Sequence, residues 1–215
     1  MGLQLIVFDC DGVLIESVDA KTRAFATIAA PYGQGAVDAL VSYHQLHGGV
    51  SRVEKIRWFF ESVLLRQPEA GEERRLLDNF AEQSLERVYA ALPVPGIGEV
   101  LQRWSGVVPL YVASGAPHLE LTNVLKQHDL ARFFTGIYGS PPGKTTLLRG
   151  ILAEEGVHPS EAIMIGDSST DMYAAEAVRT RFYGRGEYFK HSDYPWHHDL
   201  TKLNAYLEGL YANEW

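Results

Sequence analysis

The segment "LQLIVFDCDGV" (residues 3–13) decides the fold, because a mostly apolar run ends there abruptly in acidic residues. Residues 3–8 have the continuous apolar character of a strand buried on both faces of a parallel sheet. Asp9 ends this run, and Asp11 follows two residues later in a turn that Gly12 permits. The segment therefore predicts a buried strand with two carboxylates at its carboxyl end.

Similar strand-like runs recur along the chain and alternate with helical patterns. The predicted strands cover residues 107–114, 136–140, 162–168 and 181–184, and the helical patterns between them cover 118–130, 144–156 and 170–178. Strands alternating with helices predict an α/β fold, a Rossmann-like parallel sheet with helices on both faces. Ligands bind such sheets at the carboxyl ends of the strands.

Residues 16–90 differ from the rest, because every segment there has helical spacing and none indicates a strand. The "PVPG" segment (93–96) closes this block. We expect an α-helical cap domain at 16–92, inserted into a core domain formed by 1–15 and 93–215, and lying over the ligand end of the sheet.

Composition limits the functions open to the chain. The formal net charge of −8 argues against non-specific binding of nucleic acid and against anionic membranes. The single cysteine, Cys10, cannot form an intramolecular disulfide, and the N-terminal apolar run is too short for a signal peptide or membrane span. We expect a cytoplasmic protein, monomer or homodimer, that binds neither nucleic acid nor membrane.

Acidic residues follow two of the predicted strands. Asp9 and Asp11 would repel each other unless a cation lies between them, and Mg²⁺ prefers such oxygen ligands. Asp167 follows another apolar strand, and Asp171 stands at the start of the next helix. A plain turn for the first pair and helix capping for the second are the alternatives.

A serine and a lysine follow two further strands. Ser114 ends the strand at 107–114, and Gly115 would let backbone N–H groups approach an anion closely. The "YGSPPGKTTLL" segment (138–148) is not a nucleotide-binding loop, because its glycine spacing is one residue short and two prolines lack N–H groups. Lys144 begins a helix, where the helix dipole disfavours a cation, so it is intelligible if it faces a dianionic ligand.

The order of these residues resembles the haloacid dehalogenase-like hydrolase superfamily, in its capped subfamily I. "FDCDGVLIES" resembles the first motif of that family, "VASG" the second, Lys144 the third and "GDSSTD" the fourth. The resemblance spans residues 5–184 and is greatest to members similar to phosphoglycolate phosphatase and β-phosphoglucomutase. It implies an enzyme, a Mg²⁺-dependent phosphatase that hydrolyses a small phosphorylated metabolite through an aspartyl-phosphate.

The resemblance also implies roles for individual residues. Asp9 would be the nucleophile, and Asp11 would protonate the leaving oxygen and then activate water. Mg²⁺ would be held by Asp9, the backbone carbonyl of Asp11 and Asp167, with Asp171 close by. The phosphoryl oxygens would be bound by Ser114, Lys144 and backbone N–H groups near Cys10 and Gly115.

The segment "HGGVSRVEKIRWFFE" (47–61) is the candidate source of substrate contacts from the cap. Ser51 is an N-cap candidate, and the run resembles a cap segment that holds substrate in related enzymes. It implies substrate binding by Arg52 and, less strongly, by Lys55; a solvated Arg52 paired with Glu54 is the alternative. We expect His44 and His47 to be surface residues, and the adjacent His197 and His198 not to bind a metal.

Three other functions stay open at this stage. A phosphomutase would return the phosphoryl group to bound substrate, and a phosphonate hydrolase would form an imine on a cap lysine, for which Lys55 is the candidate. A non-catalytic binding protein would retain the scaffold alone. The sequence does not identify the phosphorylated substrate.

Overall fold

The structure is a computed structural model that describes residues 2–212. Over that range one sheet contains six parallel strands in the order β3-β2-β1-β4-β5-β6. Their bounds are β1 Leu5–Phe8, β2 Leu110–Pro117, β3 Gly136–Ser140, β4 Ala162–Gly166, β5 Arg181–Arg185 and β6 Trp196–His197. The predicted α/β, Rossmann-like parallel sheet is confirmed.

Strand β1 lies between β2 and β4 at the centre of the sheet, and all four of its residues are buried. Phe8, its last residue, is in register with Val112 of β2 and Ile165 of β4. The N–H of Asp9 still donates to the carbonyl of Ile165, at 2.9 Å. Because the three strands are parallel and in register, the polar residues after them lie at one edge.

Helices cover both faces of the sheet. Those of the sheet domain are α5 Ile97–Trp104, α6 His118–Gln127, α7 Lys144–Glu155, α8 Ser169–Val178 and α9 Leu203–Ala212. One apolar cluster packs α5, α6 and α9 on one face, and a second packs α7 and α8 on the other. The alternation of strand residues between the two clusters follows from the period of two in a strand.

The boundaries differ from the predicted ones at β2. This strand begins at Leu110 rather than at residue 107, because the N–H groups of Val107 and Val108 both donate to the carbonyl of Trp104 and form a turn after α5. It continues to Pro117, beyond the predicted end at Ser114. The short β6 and helix α9 were not predicted.

Four helices lie between β1 and α5, as expected for the helical insertion. They are α1 Val18–Ala29, α2 Gln34–Leu46, α3 Arg52–Trp58 and α4 Glu72–Ala90, and a π-helical turn at Phe59–Val63 extends α3. They pack around their own apolar cluster, in which Phe59 and Phe60 are buried. Ser51 and Glu54 form a capping box at the start of α3, so the predicted N-cap is present. The domain limits at 15/16 and 92/93 stay a prediction.

Over residues 2–212, no helix is both long and apolar enough to pass through a lipid bilayer.

Candidate active site

The carboxylates of Asp9, Asp167 and Asp171 converge at the carboxyl edge of the sheet, with ligand oxygens within 4.8 Å of one another. Asp9 directly follows β1, Asp167 directly follows β4, and Asp171 lies in the first turn of α8. Asp9 and Asp171 are 2% and 0% exposed. The structure thus brings together the three side chains that were predicted at the metal site.

Lys144 is the buried cation among these acids. Its Nζ lies 2.9 Å from Asp9 Oδ2 and also forms an ion pair with Asp171 Oδ1. Lys144 begins α7, as predicted, and the nearby acids explain why a lysine is stable at a helix N-terminus. Although burial alone would lower it, Asp171 and Asp9 raise the pKa of Lys144 above its usual range, so the ammonium stays charged.

The cluster nevertheless contains more negatively charged groups than positively charged ones. Burial, together with the charges of Asp171 and Asp11, raises the pKa of Asp9 to about 7, and Lys144 opposes this shift. Burial and the charge of Asp9 also raise the pKa of Asp167 well above its usual range. Both shifts have the cause expected of crowded, desolvated carboxylates that lack a second positive charge.

One buried oxygen in the cluster has no partner. Among the described residues, none forms a hydrogen bond with Asp9 Oδ1, although Oδ2 of the same carboxylate is held by Lys144. A buried carboxylate oxygen without a hydrogen-bond partner is unfavourable in a protein interior. This oxygen is therefore available to a ligand in the cavity, and the crowded acids fit a hard divalent cation that would offset the excess negative charge.

Gly12 allows Asp167 to approach the first motif. Its φ is +73°, and a Cβ there would overlap the Asp167 carboxylate. Any other residue at this position would be strained and would displace an acid of the cluster. Cys10, between the two acids of the motif, is a buried thiol whose pKa is raised by burial, so it is not a reactive thiolate.

Asp171 also caps its helix, so the capping alternative describes part of its role. Its Oδ2 accepts hydrogen bonds from the N–H and the hydroxyl of Ser168, at 3.1 and 2.6 Å, while Oδ1 faces Lys144. With both oxygens engaged, Asp171 orients Lys144 and the start of α8 around Asp167.

Asp11 is turned away from the other acids toward the first cap helix. Ser17 Oγ donates to Asp11 Oδ1 at 2.5 Å, and Lys21 Nζ forms an ion pair with Oδ2. Burial alone would raise the pKa of Asp11, but Lys21 and the two hydrogen bonds lower it. The side chain is thus not part of the three-acid cluster, and only its backbone carbonyl stays available for the predicted metal contact.

A loop of the helical insertion contacts the sheet edge beside this cluster. Thr170 Oγ1 donates to the carbonyl of Gly48 at 2.9 Å, and a Cβ on Gly115 would overlap the carbonyl of Gly49. Ser114 is 1% exposed, and its Oγ accepts from the N–H of Ala116 at 3.2 Å. The close approach explains the glycines at 49 and 115.

A cavity of about 160 Å³ lies between this edge and the cap helices. Its core wall includes Asp9, Asp11, Ser114, Gly115 and Asp167. Its cap wall is largely apolar, with Phe25, Phe80 and Val50, and carries the polar side chains of Lys21, His44, Arg52 and Lys55. Most of the predicted site residues therefore line one cavity. Lys144, Asp171 and Cys10 do not line it, although Lys144 pairs with Asp9.

Arg52 joins the cap wall to the core. Its Nη2 lies 2.5 Å from Glu120 Oε2 on α6, and both side chains are 15% exposed. The expected alternative, a solvated arginine paired with Glu54, is wrong, because Glu54 caps α3 and Arg52 is held by Glu120 and the Phe80 ring. Arg52 Nη1 is buried and has no hydrogen-bond partner in the part of the chain that the structure describes.

Lys55 is a buried amine, only 2% exposed, and its Nζ donates to Nδ1 of His44 at 2.8 Å. Burial and the charge of Lys21 lower the pKa of Lys55 to about 7. His44 is also buried, so the expectation of a surface histidine is wrong at this position; burial and Lys55 lower its pKa to about 3. His47 is exposed, as expected.

Residues 197 and 198 do not form a metal site with a third ligand in the described part of the chain. His197 Nδ1 contacts the Tyr183 hydroxyl at 2.6 Å, whereas His198 lies 3.8 Å from Glu187.

Two residues of the cavity wall, Lys21 and Glu120, were not predicted from the sequence. The spacing of Ser17 and Lys21, four residues apart at a helix start, was the available signal for the first.

Residues 3–179 match the haloacid dehalogenase-like hydrolase family. A phosphoglycolate phosphatase of Vibrio cholerae is 26% identical over 202 residues, 89% of this chain and 88% of the relative. A phosphorylated carbohydrates phosphatase of Thermotoga maritima is 26% identical over 196 residues, 85% of each chain. The crystal structure of a β-phosphoglucomutase from Clostridium difficile superposes with a TM-score of 0.82 at 18% identity, covering 98% of this chain and 97% of that one.

The family match covers most of the chain, so this protein belongs to the haloacid dehalogenase-like hydrolase family. The structural likeness to the mutase independently supports the fold. The predictions of the family and of a hydrolytic enzyme are confirmed, and the phosphatase relatives support the phosphatase class.

The depressed pKa of Lys55 predicts a specific pH dependence of stability. An unfolded lysine has a pKa of about 10.4. Between about pH 7 and 10 the unfolded chain therefore binds a proton that the folded chain does not. For this reason the contribution of Lys55 to the free energy of unfolding increases with pH, and the protein becomes more stable. Lys55→Met should remove this rise, which is at most about 1.4 kcal/mol per pH unit.

Urea unfolding of wild type and Lys55→Met at several pH values between 6 and 9.5 measures the difference. Lys190→Met, at an exposed lysine, is the matched control and should follow the wild type. Parallel stability curves for wild type and Lys55→Met would contradict the depressed pKa.

Proposed function

We propose that this protein is a Mg²⁺-dependent phosphatase that hydrolyses a small phosphorylated metabolite through an aspartyl-phosphate on Asp9. The observation that carries the proposal is the Asp9 carboxylate: Oδ2 is fixed by Lys144, whereas Oδ1 is buried beside the cavity without a partner. A carboxylate held by one oxygen can present the other to an electrophile as a nucleophile.

In the first step Asp9 attacks phosphorus, and the bond from phosphorus to the leaving oxygen breaks. Asp11 protonates that oxygen, and its side chain lines the same cavity as Asp9. In the second step Asp11, now a carboxylate, takes a proton from water as the water attacks the aspartyl-phosphate. Phosphate leaves, Asp9 is free again, and Asp11 has regained its proton.

Ser114 and Lys144, with backbone N–H groups near Cys10 and Gly115, bind the remaining phosphoryl oxygens. Lys144 supports this assignment because it is charged, buried and adjacent to the nucleophile. Fixed positive charge and donors in a desolvated site stabilise the negative charge of phosphoryl transfer.

Asp9, Asp167 and the backbone carbonyl of Asp11 would hold Mg²⁺, with Asp171 behind them. When bound, the ion would neutralise negative charge between nucleophile and phosphate. The convergence of the three carboxylates and the raised pKa of Asp167 support this donor set.

The cap wall supplies contacts to the leaving group. Arg52 and Lys55 face a small and mostly apolar cavity, which suits a compact metabolite. The relatives that carry the names phosphoglycolate phosphatase and phosphorylated carbohydrates phosphatase support a small phosphate ester of this kind. A phosphomutase with the same first step stays an alternative. The cytoplasmic location and the choice between monomer and homodimer stay predictions.

Asp9→Asn should abolish turnover of p-nitrophenyl phosphate, by at least about 10³-fold, since an amide oxygen is a poor nucleophile. Intact-mass measurement after acid quenching should detect a phosphorylated wild-type enzyme and none in the variant. Removal of Mg²⁺ with EDTA should stop turnover, and its return should restore it.

Asp193→Asn, at an exposed aspartate away from the sheet edge, is the matched control and should keep full activity. Retained turnover in Asp9→Asn, or full activity in EDTA, would overturn the proposed mechanism.

A phosphonate hydrolase is the second candidate, favoured by one observation. Lys55 is a buried amine in the cavity wall with a pKa of about 7, so a large fraction is neutral near physiological pH. A neutral amine can attack an aldehyde or ketone and form an imine. The phosphatase relatives make this the weaker candidate.

Borohydride reduction in the presence of phosphonoacetaldehyde tests it. The phosphatase proposal predicts no adduct on Lys55 in wild type, and an unchanged mass after reduction. A stable adduct on the Lys55 peptide, lost in Lys55→Met, would instead favour phosphonate hydrolysis.

A further inference from the structure

Glu120, in the first turn of α6, adds a carboxylate to the cavity wall at the arginine of the cap. Its Oε2 lies 2.5 Å from Arg52 Nη2, and each of the two side chains is 15% exposed. Both side chains line the cavity. A carboxylate of the sheet domain therefore already occupies the cap arginine that was predicted to bind substrate.

The two lysines that line the cavity are engaged as well. Lys21 forms an ion pair with Asp11. Lys55 is 2% exposed, and its Nζ donates to His44 Nδ1 at 2.8 Å. Burial and the charge of Lys21 lower the pKa of Lys55 to about 7, so most of this amine is neutral at pH 8. Within residues 2–212, the lysines and the arginine of the cavity wall thus leave little positive charge for an additional anion.

A second negative charge on the leaving group would therefore be unfavourable in this cavity. Arginine often holds a carboxylate or a phosphate through two parallel N–H···O bonds, and Glu120 already takes Nη2 of Arg52. The Nη1 donor remains, without a hydrogen-bond partner among the described residues, and one neutral oxygen would satisfy it. The rings of Phe25 and Phe80 in the same wall do not replace the hydration that an anion loses on entry.

We propose that Glu120 is a specificity-determining residue: it occupies Arg52 and thereby selects phosphate monoesters whose leaving group carries no second negative charge. The inference rests on the proposed function, because it names the class of ester that the same site hydrolyses. The selection acts at the cap wall, on the leaving group alone. The phosphoryl group itself is bound at the sheet edge, where Lys144 supplies a positive charge beside Asp9.

Two esters of nearly equal size separate charge from shape. Phosphoglycolate carries a carboxylate where 2-hydroxyethyl phosphate carries a neutral hydroxymethyl group. With the wild-type enzyme and Mg²⁺ at pH 8, we expect kcat/KM to be at least about tenfold higher for 2-hydroxyethyl phosphate, because bringing like charges together in a binding site is strongly disfavoured. For the same reason, benzyl phosphate should be hydrolysed with a higher kcat/KM than 4-carboxybenzyl phosphate.

Glu120→Gln should weaken this selection, because the amide keeps the size of the side chain and leaves the charge of Arg52 to the substrate. We expect the ratio of kcat/KM for phosphoglycolate to that for 2-hydroxyethyl phosphate to rise by about tenfold over wild type. The double variant Glu120→Gln with Arg52→Met should lose this rise. Glu99→Gln removes the same charge from an exposed position in α5 and should keep the wild-type ratio.

A purely structural role of Glu120 would lower both rates together and leave their ratio at the wild-type value, which would overturn the inference. A wild-type preference for either carboxylated ester would also overturn it and would leave the phosphatase proposal intact. If the wild-type enzyme hydrolyses none of the four esters, the proposed function fails and the inference fails with it. Thermal unfolding of each variant detects a loss of fold, in which case the wild-type comparison decides.

Discussion

The repulsion between carboxylates at one edge of the sheet is the constraint on which the rest of the site depends. Parallel register places Asp9 and Asp167 at adjacent strand ends, and the start of α8 adds Asp171. One buried lysine offsets only part of this charge, so the pKa of Asp9 and that of Asp167 are raised. A divalent cation bound at this edge would offset the remaining negative charge and stabilise the fold. Within residues 2–212, one Asp9 oxygen has no hydrogen-bond partner.

The two acids of the first motif are consequently held by different parts of the molecule. Asp9 is fixed from the sheet side by Lys144, whereas Asp11 is fixed from the helical insertion by Ser17 and Lys21. The Gly48–Gly49 loop and the Arg52–Glu120 pair add further contacts between the insertion and the sheet domain. The two acids are thus oriented by different parts of the fold.

The acids and the serine at strand ends could be predicted from the sequence, because apolar runs that end in Asp or Ser carry a strong local signal. Register then brings them together without further information. The cap wall could not be predicted in the same way. Glu120 and Arg52 are 68 residues apart, and the burial of His44 and Lys55 depends on how α2 and α3 pack. The predicted start of β2 was wrong, because the N–H groups of Val107 and Val108 donate to the carbonyl of Trp104 and form a turn. Valine favours strands, so the sequence does not indicate this turn.

The central claim is that these acids surround a single divalent cation beside the nucleophile. Anomalous diffraction from crystals grown with Mn²⁺ in place of Mg²⁺ tests it most directly. The account predicts one strong peak in contact with Asp9 and Asp167, and its loss in Asp167→Asn. Crystals at saturating Mn²⁺ that show no peak at this edge of the sheet, or a peak that Asp167→Asn leaves unchanged, would contradict it.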